Sequence, residues 1–166
     1  MSSSERRALL LAGAGSLALA GCGFQLRQAA PLSFRSIALV GFAPRSPLAD
    51  ELKAALERQV TVEGNPAKAQ LVLQALADER QRVIVATTAA AQVRELTLRL
   101  RLRWRTQTPA GQEVTPPAEL LLSRDMSYSE SLALAKQHEE ADLYREMQAD
   151  VVSQVLRRLA AIRLPA

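Results

Sequence analysis

Residues 96–105, L-T-L-R-L-R-L-R-W-R, decide how the chain is read. Leu96, Leu98, Leu100, Leu102 and Trp104 share one parity; Thr97, Arg99, Arg101, Arg103 and Arg105 share the other. A period of two held over ten residues is the pattern of a β-strand with one buried face. The apolar side predicts a sheet covered by other elements. The side with Arg99, Arg101, Arg103 and Arg105 must look at water, nucleic acid, an anionic lipid or another protein.

Outward from this strand, a meander is expected. Pro109-Ala110-Gly111 marks a hairpin loop, and a further strand runs from about 118 to 128 with Leu120, Leu122, Met126 and Tyr128 on one face. On the other side, Thr87 to Gln92 is a turn of small residues. Before it, 69–85 reads as extended: Leu71, Leu73, Ala75, Val83 and Val85 hold one parity, and Gln70, Gln74, Asp78, Arg80 and Arg82 the other. The first half of that segment also fits a helix. Further upstream, 34–40 (F-R-S-I-A-L-V) is rich in β-formers and stops at Gly41. Ser46-Pro47 supplies an N-cap and a proline at the first helical position. Leu48, Leu52, Ala55, Leu56 and Val60 then give a stripe for a helix of about four turns, closed before Gly64-Asn65-Pro66. From about 134 to 162 the period is again helical, through Leu143, Met147, Val151, Val155, Leu159 and Ile162.

The fold class is therefore α+β, in the order β-α-β-β-β-α: a four-stranded mixed β-sheet with two α-helices packed on one face. A right-handed crossover makes the first two strands parallel, and the remainder is antiparallel. The arginines point from the uncovered face.

The amino-terminal residues bound the compartment. Arg6 and Arg7 precede an uncharged run, 8–20, too short to span a bilayer but of signal-peptide length. It ends in Leu19-Ala20-Gly21-Cys22, a lipobox pattern, and Cys22 is the only cysteine. A lone thiol in an oxidising compartment has no intramolecular partner, and lipidation gives it a use, since two or three acyl chains anchor stably where one does not. Residues 1–21 are thus expected to be a lipoprotein signal peptide, 22–33 a lipidated tether and 34–166 a single domain. Gly23 after the cysteine suits sorting to the outer membrane, with the domain on the periplasmic side. The 145 residues from Cys22 onward carry 19 Lys+Arg against 16 Asp+Glu, a net charge of +3, and are enough for a core without disulfides.

Chemistry is sparsely provided for. The sole histidine, His138, lies in the charged run K-Q-H-E-E. With one histidine and a lipidated cysteine, no catalytic pair and no metal set of the usual ligand types is expected, and no glycine-rich phosphate loop is present. No cofactor is expected either. A nucleic-acid platform needs exposed aromatics, whereas Trp104 has core parity. An enzyme and a nucleic-acid binder are both disfavoured; a hydrolase would have to depend on His138.

Several stretches together resemble the LPS-assembly lipoprotein family LptE: G-C-G-F-Q-L-R at 21–27, S-R-D-M-S-Y at 123–128, L-A-L-A-K at 132–136 and E-M-Q-A-D-V-V-S-Q-V-L-R-R-L at 146–159. The resemblance implies a non-enzymatic outer-membrane lipoprotein that plugs the β-barrel of LptD, binds lipopolysaccharide and assists its insertion. It matches Lys136 to the family's lipopolysaccharide-binding lysine. A second basic position of the family falls within 87–91, where this sequence has no basic residue; Arg82 and Arg94 are the flanking substitutes. The arginine face would then meet the barrel or the lipopolysaccharide near it. The alternative, from the residues alone, is a stand-alone lipoprotein binding an anionic lipid or glycolipid in the periplasm.

Overall fold

A computed structural model of the chain describes residues 31–164. The expected signal peptide, Cys22 and most of the tether lie outside the described residues. The elements are β1 (Ser36–Val40), α1 (Pro47–Leu56), β2 (Thr61–Val62), a 3₁₀ turn (Pro66–Lys68), β3 (Leu71–Thr87), β4 (Val93–Gln107), β5 (Glu113–Ser127), a second 3₁₀ turn (Glu130–Leu132) and α2 (Ala133–Ala160). They form one mixed sheet in the order β2-β1-β3-β4-β5. The α+β class and the two helices agree with expectation. The sheet has five strands rather than four, because the loop after α1 adds two residues, Thr61 and Val62, in parallel to Ser36 and Ile37. So short a strand carries no periodicity for a sequence reading to find.

The local signals explain the helices. Ser46 caps α1 by accepting a hydrogen bond from the Ala49 amide at 3.1 Å, with Pro47 at the first position. At ten residues α1 has nearer three turns than four; Val60 packs on the core from beyond its end. The first half of β3 is strand, not helix: Ile37 to Val40 pair in parallel with Leu71 to Gln74. β5 extends back through Pro116 and Pro117, which an edge strand tolerates because no further strand needs their amides.

Leu96, Leu98, Leu100, Leu102 and Trp104 are fully or almost fully buried in one cluster with Leu48, Leu52 and Leu56 of α1 and Met147, Val151, Val155 and Leu159 of α2. Both helices therefore lie on the same side of the sheet. At ~1.5–3 kcal/mol for burying each large apolar side chain, this one face supplies most of the hydrophobic stabilisation. The opposite face is open over β3, β4 and β5; only a small apolar group, Ala38, Ala69 and Val72 with Val40, is buried on it.

The two long hairpins use one loop chemistry twice. In the first, the Thr88 amide donates to Gln92 O (2.8 Å), the Ala91 amide to Thr88 O (2.9 Å) and the Gln92 amide to Thr88 Oγ1 (3.1 Å). In the second, Thr108, Gly111 and Gln112 repeat the same three bonds. Each loop is a turn followed by one left-handed residue. That residue is Gly111 in one (φ +86°) but Ala91 in the other (φ +58°). A Cβ is disfavoured there by ~1 kcal/mol, while the added freedom of glycine in the unfolded chain offsets part of the gain. Ala91→Gly is expected to raise the melting temperature slightly and Gly111→Ala to lower it, read by thermal unfolding of the two variants side by side.

Candidate functional site

The arginine face is built by register. On the open side Arg99 lies between Gln81 and Ser123, Arg101 between Glu79 and Leu121, and Arg103 between Ala77 and Glu119, while Arg105 pairs with Gln74. Arg101 makes a two-pronged contact with Glu119 (Nε–Oε1 and Nη2–Oε2, both 3.2 Å), and its Nη1 reaches Glu79 Oε2 at 3.6 Å. Arg105 donates to Gln74 Oε1 at 3.0 Å and stands 4.0 Å from Glu113. Arg99 and Arg103 are exposed and make no ion pair among the described residues. Thr97 donates to Asp125 at 2.6 Å farther along.

The stripe is thus not a bare cationic surface. The hydrogen bonds and charge of Arg101 hold the Glu119 carboxyl below its usual range, and Glu119 in turn raises the guanidinium. A depressed carboxylate contributes stability that is present above the unfolded pKa and lost as pH falls through the lower folded value. Being solvent-exposed, this pair adds little to stability; its effect is to fix the orientation of Arg101. Leu121, 58% exposed, lies directly opposite Arg101 and adds an apolar point to the face.

The second strand of the face departs from its expected parity. Between Ala75, which opposes Trp104, and Ala77, which opposes Arg103, the register slips by one residue at Leu76. Gln74 keeps its place on the open side, but a β-bulge turns everything beyond it over. Asp78, Arg80 and Arg82 oppose Leu102, Leu100 and Leu98 and so stand on the helix side, while Glu79, Gln81 and Val83 face out. A second slip follows near Val85.

Arg82 is therefore corrected from the open face to the helix side. Its Nε lies 3.4 Å from Glu140 of α2. Arg80, not singled out from sequence as a site residue, stacks over the Tyr144 ring at 4.9 Å and donates to buried Gln148 at 2.6 Å. The Tyr144 hydroxyl donates to Gln81 O at 2.9 Å, and burial, then Glu140, raises its pKa. Across the sheet, Arg124 reaches Asp150 at 3.5 Å. These charged contacts join α2 to the outer part of the sheet, beyond the apolar core. The signal for them was the unbroken run Ala75-Leu76-Ala77, where alternation fails.

Lys136 and Arg94 occur together at the end of the sheet formed by the first hairpin and the start of α2. Lys136 Nζ donates to Ser127 Oγ (2.9 Å) and Glu139 Oε2 (2.7 Å), and its side chain is only 15% exposed. It is a partnered lysine, not a solvated one. Arg94 is exposed beside a cleft lined by Gln92, Ser129 and Ser131, its carbonyl accepting from the Tyr128 amide at 2.7 Å. Among the described residues no group of three or more possible metal ligands occurs, and no helix is long and apolar enough to cross a membrane.

With this geometry in view, comparisons place the chain. The family model LptE, described as lipopolysaccharide-assembly, matches residues 34–159. Among solved structures, the chain is similar to an uncharacterized lipoprotein B from Nitrosomonas europaea, with 27% identity, a TM-score of 0.69, and coverage of 84% of this chain and 91% of that one. It is also similar to a minor lipoprotein from Acinetobacter baumannii (22% identity, TM-score 0.64, coverage 81% and 100%). A rare lipoprotein B from Shewanella oneidensis follows at 21% identity and a TM-score of 0.58, with coverage of 76% and 95%. The latter two speak for the fold alone. No curated protein matches the sequence.

Proposed function

Because the chain belongs to the lipopolysaccharide-assembly family LptE, we propose that it is an outer-membrane lipoprotein, acylated at Cys22, that plugs an LptD-type β-barrel and assists lipopolysaccharide insertion without catalysing a reaction. The observation that carries this is the open β3-β4-β5 face: two helices cover one side of the sheet, and the other side displays a rigid array of both charge signs. Strands of 15 residues extend ~50 Å, and three of them give a face on the order of 600 Å². That approaches the ~800 Å² per partner of a standard interface, with loops and edges adding the rest.

The charge pattern favours a protein wall over lipid phosphate as what the face meets. A phosphate-binding surface is expected to concentrate free guanidinium forks. Here Arg101 and Arg105 are already committed to Glu119, Glu79 and Gln74, so the face offers alternating cations and carboxylates for a partner of matching mixed charge. Lipopolysaccharide contact is assigned instead to the hairpin end, where Arg94 is the accessible cation. Lys136 and Arg82 contribute there by exchanging Glu139 and Glu140 for phosphate.

Detergent extraction from the native membrane through a carboxyl-terminal tag tests the proposal. Coelution with a large β-barrel protein, surviving moderate salt, is expected. Elution as a monomer whose binding of lipopolysaccharide is lost with salt would replace it with the free-standing lipid-binding lipoprotein.

A further inference from the structure

Charge is divided between the two ends of the domain. At one end Ser33 donates to Ile162 O at 2.6 Å, which pins the start of the described chain to the end of α2. Thr61 donates to Arg35 O at 2.9 Å, and α1 runs directly into β2, so the carboxyl ends of both helices and the start of β1 share this end. Six exposed cations gather there from separate elements: Arg35, Arg58, Lys68, Arg157, Arg158 and Arg163. None makes an ion pair among the described residues, although Arg157 donates to Ser153. Cations near a helix carboxyl end suit its dipole, but that explains only those of α2. The opposite end carries Glu95, Asp125, Glu130, Glu139 and Glu140.

We propose that the cationic end is a seat for the anionic phospholipid headgroups of the leaflet that holds the acyl anchor. The seating rests on the anchor proposed at Cys22. Residues 22–30 extend at most ~30 Å, so an anchored chain keeps this end, and not the other, within reach of the headgroups. Basic side chains near an anionic surface attract it over about a Debye length, and the acidic far end is repelled. Anchor and charge then impose one orientation: sheet roughly upright, helix carboxyl ends toward the bilayer, first hairpin away from it.

The test uses the full lipidated chain in nanodiscs. Acylation at Cys22 consumes the only native thiol, so Ala161→Cys and Ala90→Cys each give a single labelling site, one at each end. Collision of the spin label with a headgroup-chelated paramagnet is measured in discs with about 30% phosphatidylglycerol and in phosphatidylcholine alone. At position 161 the collision rate is expected to be at least about threefold higher in the anionic discs, to fall in high salt, and to fall likewise with Arg157→Glu, Arg158→Glu and Arg163→Glu combined; position 90 stays low throughout. A rate at 161 that ignores lipid charge, or a higher rate at 90, overturns the seating. Intact mass separates the two proposals: an acylated chain with an indifferent label refutes the seating alone, whereas a chain without an acyl group that stays off both discs refutes anchor and seating together.

Discussion

Replacing Arg99 with Glu and Arg103 with Gln is expected to leave the domain folded while weakening its copurification with the barrel by at least about 30-fold. The figure follows from like-charge and unpaired-charge costs of ~1–2 kcal/mol for each altered interface charge. The choice of residues matters more than the number. Arg99 stands between Gln81 and Ser123, so its reversal meets no neighbouring acid, and neutral Gln at 103 adds no repulsion to Glu119. Arg101 is the internal control. Arg101→Glu would place a third carboxylate between Glu79 and Glu119, breaking contacts within the sheet. It is expected to lower the melting temperature measurably, the like charges being directly across strands. A double variant that copurifies as wild type, with the same melting temperature, would show that Arg99 and Arg103 face only water.

The contrast between these arginines marks what could be read from sequence and what could not. On β4 the alternation runs without a break from Leu96 to Trp104, so parity alone placed every side chain on its correct face. The same reasoning failed on β3, because a single unpaired residue, Leu76, inverts all that follows. Nothing in Gln74-Ala75-Leu76-Ala77 names a bulge: no glycine occurs, and small apolar residues are compatible with either face. The result was to assign Asp78, Arg80 and Arg82 to the open side when they serve α2. Lys136 illustrates a different limit. Its position at the start of the last helix was legible; its bonds to Ser127 and Glu139 depend on how β5 hands over to that helix, which periodicity does not encode.

Gly41→Ala tests the device that fixes the bulge and is expected to be the most destabilising small substitution in the domain. Gly41 follows β1 directly and has φ +77°, where a side chain costs ~1–2 kcal/mol. A Cβ there would also lie 2.3 Å from the Ala75 carbonyl oxygen and 3.3 Å from its carbon. That neighbour is backbone and cannot rotate aside, and forced displacement in a packed region adds ~1–3 kcal/mol. The combined loss is ~2–4 kcal/mol, equivalent to about 10 °C in a domain of this size. Gly64→Ala is the control: nothing lies within 4 Å of its added Cβ, so little change is expected. The consequence reaches the site through Ala75, which immediately precedes the slip at Leu76. If the variant relieves its clash by moving Ala75, Arg80 should lose its place over Tyr144, visible as a changed tyrosine titration or side-chain resonance at temperatures where the domain remains folded. If Gly41→Ala instead melts within about 2 °C of wild type, the close approach of β1 to the bulge is not what holds the β3 register.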